Sequence, residues 1–159
     1  MPLKEKDRKI IDMMANNEEA VSRLYSAYAD RFPDYKTFWS ELAVDEIEHA
    51  TELRKLCKIA DSGGLYIHEG RFTPAAIANF SKYLEKEAEP DRVKASSLIN
   101  ALSVAVYIEE SIIERKFFEI FETDSARCKQ ILSDLADETA KHLEKTRQMW
   151  DEHKQPASS

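Results

Sequence analysis

The stretch Glu46-Ile47-Glu48-His49 lies midway along a segment that predicts an unbroken helix from about Asp34 to Ala60. Residues three apart share one face of a helix, so Glu46 and His49 point in the same direction. The other residues of that face are apolar: Phe38, Leu42, Leu53 and Leu56. A carboxylate and an imidazole that face a core need a partner, because burying an uncompensated charge costs several kcal/mol. A metal ion is a partner that uses both groups, although a single such pair is also common on solvated helices.

The composition predicts an all-α protein. The chain has 159 residues, which suits one domain with a sizeable core, and it contains only three Gly and five Pro. Runs rich in Ala, Leu, Glu and Lys dominate, and strand signals are nearly absent. We therefore expect a single domain over residues 1–159, with its core at 4–153 and a disordered tail at 154–159.

Several classes of protein are disfavoured by charge and by the cysteines. The net charge of -7 argues against a nucleic-acid partner, which would need basic patches. No apolar run reaches the roughly 18 residues of a membrane span, and the N-terminus lacks a signal peptide, so we expect a cytoplasmic protein with no membrane partner. Cys57 and Cys128 are isolated, which excludes zinc-knuckle, rubredoxin-type and thioredoxin-type sites.

Breaks in the helical pattern predict the connectivity. Pro33 ends a first helix that begins near Lys4, and the tight turn makes the first two helices an antiparallel hairpin. After residue 60 the pattern predicts a loop over 65–72, a short helix from Pro74, a third helix over about 91–122 and a fourth to about His153. Two antiparallel hairpins joined by a long crossover that contains a short helix have the connectivity of a ferritin-like four-helix bundle.

Each long helix carries an apolar stripe with steps of three and four, and each stripe is interrupted by ionisable residues. In chain order the interruptions are Glu18, Glu46 with His49, Glu110, and Glu138 with His142. Residues equally distant from a tight turn lie at the same height in antiparallel helices. Reflection about Pro33 places Glu18 level with Glu48, and reflection about Asp124 places Glu110 level with Glu138.

Four carboxylates at one height in a core would repel one another unless cations neutralised them, so the set predicts a metal site. For each of these residues, a structural or solvent-exposed role without metal remains an alternative. Glu18 and Glu110 have charged neighbours, Glu19 and Glu109, and one of the stripes could be misphased so that its charge is a surface residue.

This set of residues resembles the rubrerythrin branch of the ferritin-like di-iron carboxylate superfamily, without a rubredoxin domain. The resemblance extends over residues 8–150 and rests on these positions: Glu18 with Val21 and Tyr25, Glu46 and His49, Glu110 with Phe117, and Glu138 with His142. It implies two iron ions, or iron with manganese, held by Glu18, Glu46, His49, Glu110, Glu138 and His142. It also implies peroxide reduction or oxidation by dioxygen, with electrons from a separate donor protein.

Two departures from the family matter. The fourth helix should read Glu-x-x-His, but Thr139 occupies the position three before His142, and Glu138 lies four before it. The third helix has Tyr107 where typical members carry a further Glu. The occupancy of a second metal position is therefore in question.

Three functions remain open: a di-iron redox enzyme, an iron-binding or storage protein, and a bundle that lost metal and acts through protein contacts. A homodimer would favour the first and a larger homo-oligomer the second, whereas Thr139 favours the third. Tyr25 is a candidate for a catalytic role near the metals, and a plain core aromatic is its structural alternative.

Overall fold

A computed structural model describes residues 3–60, 64–67, 74–111 and 121–154 of the chain. Helices make up nearly all of these residues, which confirms the all-α prediction. None of the helices in these four ranges is long and apolar enough to cross a membrane. The elements are α1 (Glu5–Arg31), a 3-10 turn (Pro33–Tyr35), α2 (Lys36–Ala60), β1 (Leu65–Ile67), α3 (Pro74–Glu87), α4 (Pro90–Ala95), α5 (Leu98–Ser111), β2 (Phe121–Thr123) and α6 (Ala126–Lys154).

Helices α1 and α2 run antiparallel, as the short turn at Pro33 predicts. Proline at the first position of the 3-10 turn has its φ preset and needs no hydrogen-bond acceptor there. Along the two helices, the Ser22 hydroxyl donates to the Ala43 carbonyl at 2.6 Å, and Arg54 pairs with Asp12 at 2.6 Å. These contacts fix the register of α1 against α2.

The single third helix predicted over 91–122 was wrong in two places. The chain forms two helices, α4 and α5, separated at Ser96, whose backbone is extended. The Ser97 hydroxyl accepts a hydrogen bond from the Asn100 amide at 3.2 Å, so a new helix begins there with its own cap. Residues 121–123 form a strand, and the predicted stripe positions Ile113, Phe117 and Ile120 lie outside the described residues.

Strands β1 and β2 pair antiparallel, with Leu65 opposite Thr123 and Ile67 opposite Phe121. A loop was predicted over 65–72, and its first residues are this strand. Opposite residues share one face of a ladder, and the buried Leu65 and Phe121 lie on the same face. Each strand is only three residues long, and its partner is distant in sequence, so no local pattern indicates the pairing.

Helix α6 ends at Lys154, close to the predicted end at about His153, and residues 155–159 lie outside the described part of the chain. The Ser125 hydroxyl caps its first turn by accepting from the Cys128 amide at 3.3 Å. Helix α6 packs on α5, where the Trp150 indole donates to Ser103 at 2.8 Å, and on α2. Helix α3 packs on α1.

The buried apolar residues in the described part of the chain form two clusters. The aliphatic cluster includes Ile11, Met14, Leu53, Leu56, Leu132 and Leu135, and the aromatic cluster includes Tyr25, Tyr28, Trp39, Leu42, Leu102 and Ile108. Between them, along α1, α2, α5 and α6, the buried residues are polar: Glu18, Glu46, His49, Glu109, Thr139 and His142. We call these six residues the polar layer. Helices α1, α2 and α6 contact both clusters and cross this layer between them, whereas α5 contributes only to the aromatic cluster and reaches the layer near its end.

Candidate metal centre

All six members of the polar layer are buried, none more than 4% exposed. Helix α1 supplies Glu18 and helix α5 supplies Glu109. Helix α2 supplies Glu46 and His49, and α6 supplies Thr139 and His142, each pair being three residues apart and so on one helical face. The three carboxylates and two imidazoles are the groups of this layer that can bind a metal ion.

Glu46 contacts both imidazoles. Its Oε2 lies 3.3 Å from Nδ1 of His49, and its Oε1 lies 2.9 Å from Nδ1 of His142. The two rings stack with centroids 5.1 Å apart. One carboxylate thus presents one oxygen to each of two imidazoles.

The ligand atoms have a spacing that suits metal coordination. Ligand atoms of Glu46, His49 and His142 all lie within 4.8 Å of one another. Atoms bound at about 2.1 Å to one ion lie roughly 3 to 3.5 Å apart, and the two contacts of Glu46 fall near that range. In addition, Nε2 of His49 is buried and has no hydrogen-bond partner among the described residues, which leaves a polar atom unsatisfied.

The second nitrogen of His142 faces another carboxylate. Its Nε2 lies 3.0 Å from Oδ2 of Asp45, which is partly exposed at the edge of the layer. In metal sites, a ligating histidine usually donates its other N–H to such a carboxylate, which fixes the tautomer and the ring orientation. Asp45 was not predicted, and no local pattern distinguishes it from the other acidic residues of α2.

Glu109 lies in the layer beside His142 and Tyr25. Its Oε1 is 3.8 Å from Nδ1 of His142 and accepts a hydrogen bond from the Tyr25 hydroxyl at 2.9 Å. Burial, and then the nearby Glu46 carboxylate, raise the pKa of Glu109 to about 8. Burial and the Glu109 carboxylate also raise the pKa of Tyr25 well above its usual value. Both side chains therefore hold their protons at neutral pH in the metal-free protein.

Glu110, the residue predicted from the third stripe, lies outside the layer. Its side chain is 43% exposed and forms an ion pair with Arg147 of α6. Helix α5 begins afresh at Leu98 and buries Ala101, Ala105 and Ile108, so its inward face reaches Glu109 rather than Glu110. The sequence allowed that one of the four stripes is misphased, and this is the case on α5. The inward carboxylate there is Glu109, which the sequence did not predict.

On α6 the inward position three before His142 is Thr139. Its hydroxyl has no hydrogen-bond partner among the described residues. The predicted Glu138 is 45% exposed and lies 3.6 Å from Lys141 Nζ. Its carboxylate still lies within 4.8 Å of ligand atoms of Asp45 and His142, so Glu138 is at the rim of the layer and not in its centre.

Glu18 lies at the height obtained by reflection about the turn. The Ser22 contact with Ala43 and the Asp12 contact with Arg54 place it level with residues 47 and 48 of α2. It is 1% exposed. The structure thus puts four predicted residues in the layer, namely Glu18, Glu46, His49 and His142, whereas Glu110 and Glu138 lie at the surface and the rim.

Comparison of the chain with models of known families, with curated proteins and with solved structures found no match. A functional assignment therefore rests on the polar layer itself. Its contents are acids and imidazoles brought together from four helices, held between two apolar clusters.

Proposed function

We propose that this chain is a ferritin-like protein that binds two iron ions, or iron with manganese, in its polar layer and reduces peroxide or oxidises with dioxygen there. The observation that carries the proposal is Glu46, whose two oxygens each face a different imidazole. A carboxylate so placed can bind one ion on each side. The proposal extends the resemblance to the rubrerythrin branch with a ligand set read from the geometry.

The two positions differ in their ligands. On one side, Glu46 Oε2 and His49 Nδ1 would hold an ion together with Glu18, which the helix register places at the same height. On the other side, Glu46 Oε1, His142 Nδ1 and Glu109 would hold the second ion. Asp45 would orient His142 through its second ring nitrogen.

The donor set favours iron or manganese. Carboxylates and imidazoles suit these ions, and neither Cys57 nor Cys128 belongs to the layer. The burial of acids from three helices in one layer, where uncompensated charge is costly, supports a bound cation here. Bound iron would supply the electron exchange with peroxide or dioxygen.

Two protein groups beside the proposed site, Glu109 and Tyr25, carry protons in the metal-free protein. Reducing peroxide to two molecules of water consumes two protons and two electrons. An ion bound at Glu109 would displace the proton of that carboxyl, whereas Tyr25 is not a ligand, and burial raises its pKa, so it would keep its hydroxyl proton as a hydrogen-bond donor beside the site. The protons for the reduction would come from solvent. The electrons would come from a separate donor protein.

Thr139 favours a second candidate, a bundle with one metal position or none that acts through protein contacts. A hydroxyl replaces the carboxylate that a symmetric site would carry on α6. The second position then has Glu109, His142 and one oxygen of Glu46 as its ligands, because the other oxygen of Glu46 faces His49. Metal stoichiometry distinguishes the two candidates.

The test is an anaerobic titration of the metal-free protein with Fe2+. Calorimetry measures the binding, and elemental analysis of the loaded protein counts the bound ions. The proposal expects two ions per chain, and loss of both in Glu46→Gln because Glu46 serves both positions. Glu48→Gln is the matched control, since this acid is two residues away on the exposed face of α2. Binding of one ion supports the second candidate, and unchanged binding in Glu46→Gln contradicts the proposed site.

After the titration, the metal-loaded protein is mixed with peroxide in the presence of a chemical reductant, which supplies the electrons. Wild type should consume peroxide and Glu46→Gln should not. Full loading with two ions and no reaction with either peroxide or dioxygen would reject the redox activity while leaving the metal site in place.

A further inference from the structure

A surface groove lies beside the polar layer, between α2 and α6. It has a volume of about 510 Å3 and is lined mostly by acidic side chains. The acids are Glu48, Glu52, Asp134, Asp137 and Glu138, with Lys141 as the one basic residue among the lining side chains. His49 of the polar layer also lines it, so the groove meets the candidate metal centre.

The His49 ring gives this groove a ligand atom. Nδ1 of His49 faces Glu46, so Nε2 lies on the other edge of the ring. His49 is only 4% exposed, and its Nε2 has no hydrogen-bond partner among the described residues. A buried, unpartnered ring nitrogen beside a groove lined by acids can contact an incoming cation on its way to the final ligand atoms, which are Nδ1 of His49 and Oε2 of Glu46.

Glu138 continues the path inward. Its carboxylate approaches ligand atoms of Asp45 and His142 within 4.8 Å, although its side chain remains 45% exposed. Carboxylates thus extend from the rim of the groove to both imidazoles of the layer. A concave surface lined by charges of one sign concentrates the opposite charge and can raise association rates tenfold or more.

We propose that this groove is the loading route by which divalent cations enter the polar layer, with Glu48, Glu52, Asp134 and Asp137 attracting the ion and His49 receiving it. This inference rests on the proposed metal-binding function and adds where the ion enters. It concerns the rate of loading and not the final affinity, because these four acids are outside the ligand set.

The test measures Co2+ association by stopped-flow absorbance, using the whole chain in its metal-free form. The groove variant combines Glu48→Gln, Glu52→Gln and Asp134→Asn. The control variant combines Glu144→Gln, Asp151→Asn and Glu152→Gln, which removes the same charge from another surface pocket on α6. Equilibrium Co2+ titrations of all three proteins accompany the kinetics.

At low ionic strength the groove variant should load about tenfold more slowly than wild type, and the control variant within about twofold of it. The difference should shrink in about 0.5 M salt, where screening shortens the reach of charge. Final stoichiometry and affinity should be unchanged in both variants.

Equal loading rates in the groove and control variants, with normal affinity, would overturn the loading route alone. A groove variant that is slow to the same degree at low and high salt would also overturn it, since charge would then play no part. Wild-type protein that binds no Co2+ or Fe2+ at equilibrium would overturn the proposed function as well, so the two failures are distinguishable.

Discussion

The pairs on α2 and α6 occupy equivalent places in the polar layer but differ in chemistry. In both pairs a histidine follows its partner by three residues, and all four side chains are buried. The α2 pair has a carboxylate, Glu46, whereas the α6 pair has the hydroxyl of Thr139. The two pairs thus supply one carboxylate to the layer, and the other two come from α1 through Glu18 and from α5 through Glu109. Helical spacing alone sets which residues face the layer, and their identity sets its charge.

The largest effect that we expect is on the stability of the metal-free protein against pH. In the polar layer of this protein, the buried Glu109 faces Glu46, His142 and Tyr25. Because the folded pKa of Glu109, about 8, is above its unfolded value, the folded state binds more protons between about pH 4.5 and 8. The free energy of unfolding should therefore fall as pH rises through this window, by up to several kcal/mol.

Urea denaturation of the metal-free protein at several pH values measures this fall. Glu109→Gln keeps an acceptor for Tyr25 but cannot ionise, so its curve should be flatter. Bound metal should also flatten the curve, because the ion compensates the carboxylate. An equal slope in wild type and Glu109→Gln would contradict the assignment.

Replacing Thr139 by Glu would make the α6 pair match the α2 pair. We expect the second ion to bind about one to two orders of magnitude more tightly, because a carboxylate is added beside His142. The metal-free variant should be less stable than wild type, since a further buried charge repels Glu46 and Glu109. Calorimetric titration with Fe2+ and melting temperatures with and without metal measure both effects.

Thr139→Gln is the control for size, because it has nearly the shape of Glu without the charge. It should bring no gain in affinity. If the two variants bind the second ion equally, the difference between the α2 and α6 pairs does not govern the second position.

A smaller effect is expected at Asp45, which contacts Nε2 of His142. Asp45→Asn should weaken the ion on the His142 side about tenfold and leave the His49 side nearly unchanged, because only the orientation of His142 is lost. Stepwise affinities from a Co2+ titration separate the two sides. Glu41→Gln, which removes another α2–α6 contact at Lys145, is the control and should leave both affinities intact.

The smallest effect is expected at Glu110, the neighbour of Glu109 on α5. Its pairing with Arg147 is exposed, and exposed ion pairs contribute about 0 to 1 kcal/mol. Glu110→Gln should change the free energy of unfolding by no more than this and should bind metal as wild type does. Loss of metal in Glu110→Gln, with normal metal in Glu109→Gln, would reverse our assignment of the inward residue.

The height of the polar layer could be predicted from the sequence, but not all of its members. Tight turns fix the register of antiparallel helices, so Glu18 could be placed level with α2 by counting from Pro33. On α5 the buried face includes Ala101 and Ala105, which are small enough to be overlooked beside Val106. The predicted stripe is therefore one residue out of phase at Val106 and Glu110, and the inward carboxylate is Glu109.

On α6 the inward face contains Leu135, Thr139, His142 and Thr146, with steps of four, three and four. The two threonines are polar, so this face does not stand out as an apolar stripe, and the stripe predicted from the sequence passes through Glu138 instead of Thr139. The ladder between β1 and β2 is a different case. It joins residues that are distant in sequence, and its three-residue strands carry no signal of their own.

The division of the core into two apolar clusters has a consequence for how the protein opens. Hydrophobic contacts stabilise each cluster from within, but across the polar layer the helices are connected mainly by buried hydrogen bonds and charges. Cooperative units of a protein tend to separate where such contacts are fewest. The two clusters are thus two potential folding units. An ion bound by groups from several helices would connect the helices at the layer, so the two units would unfold together.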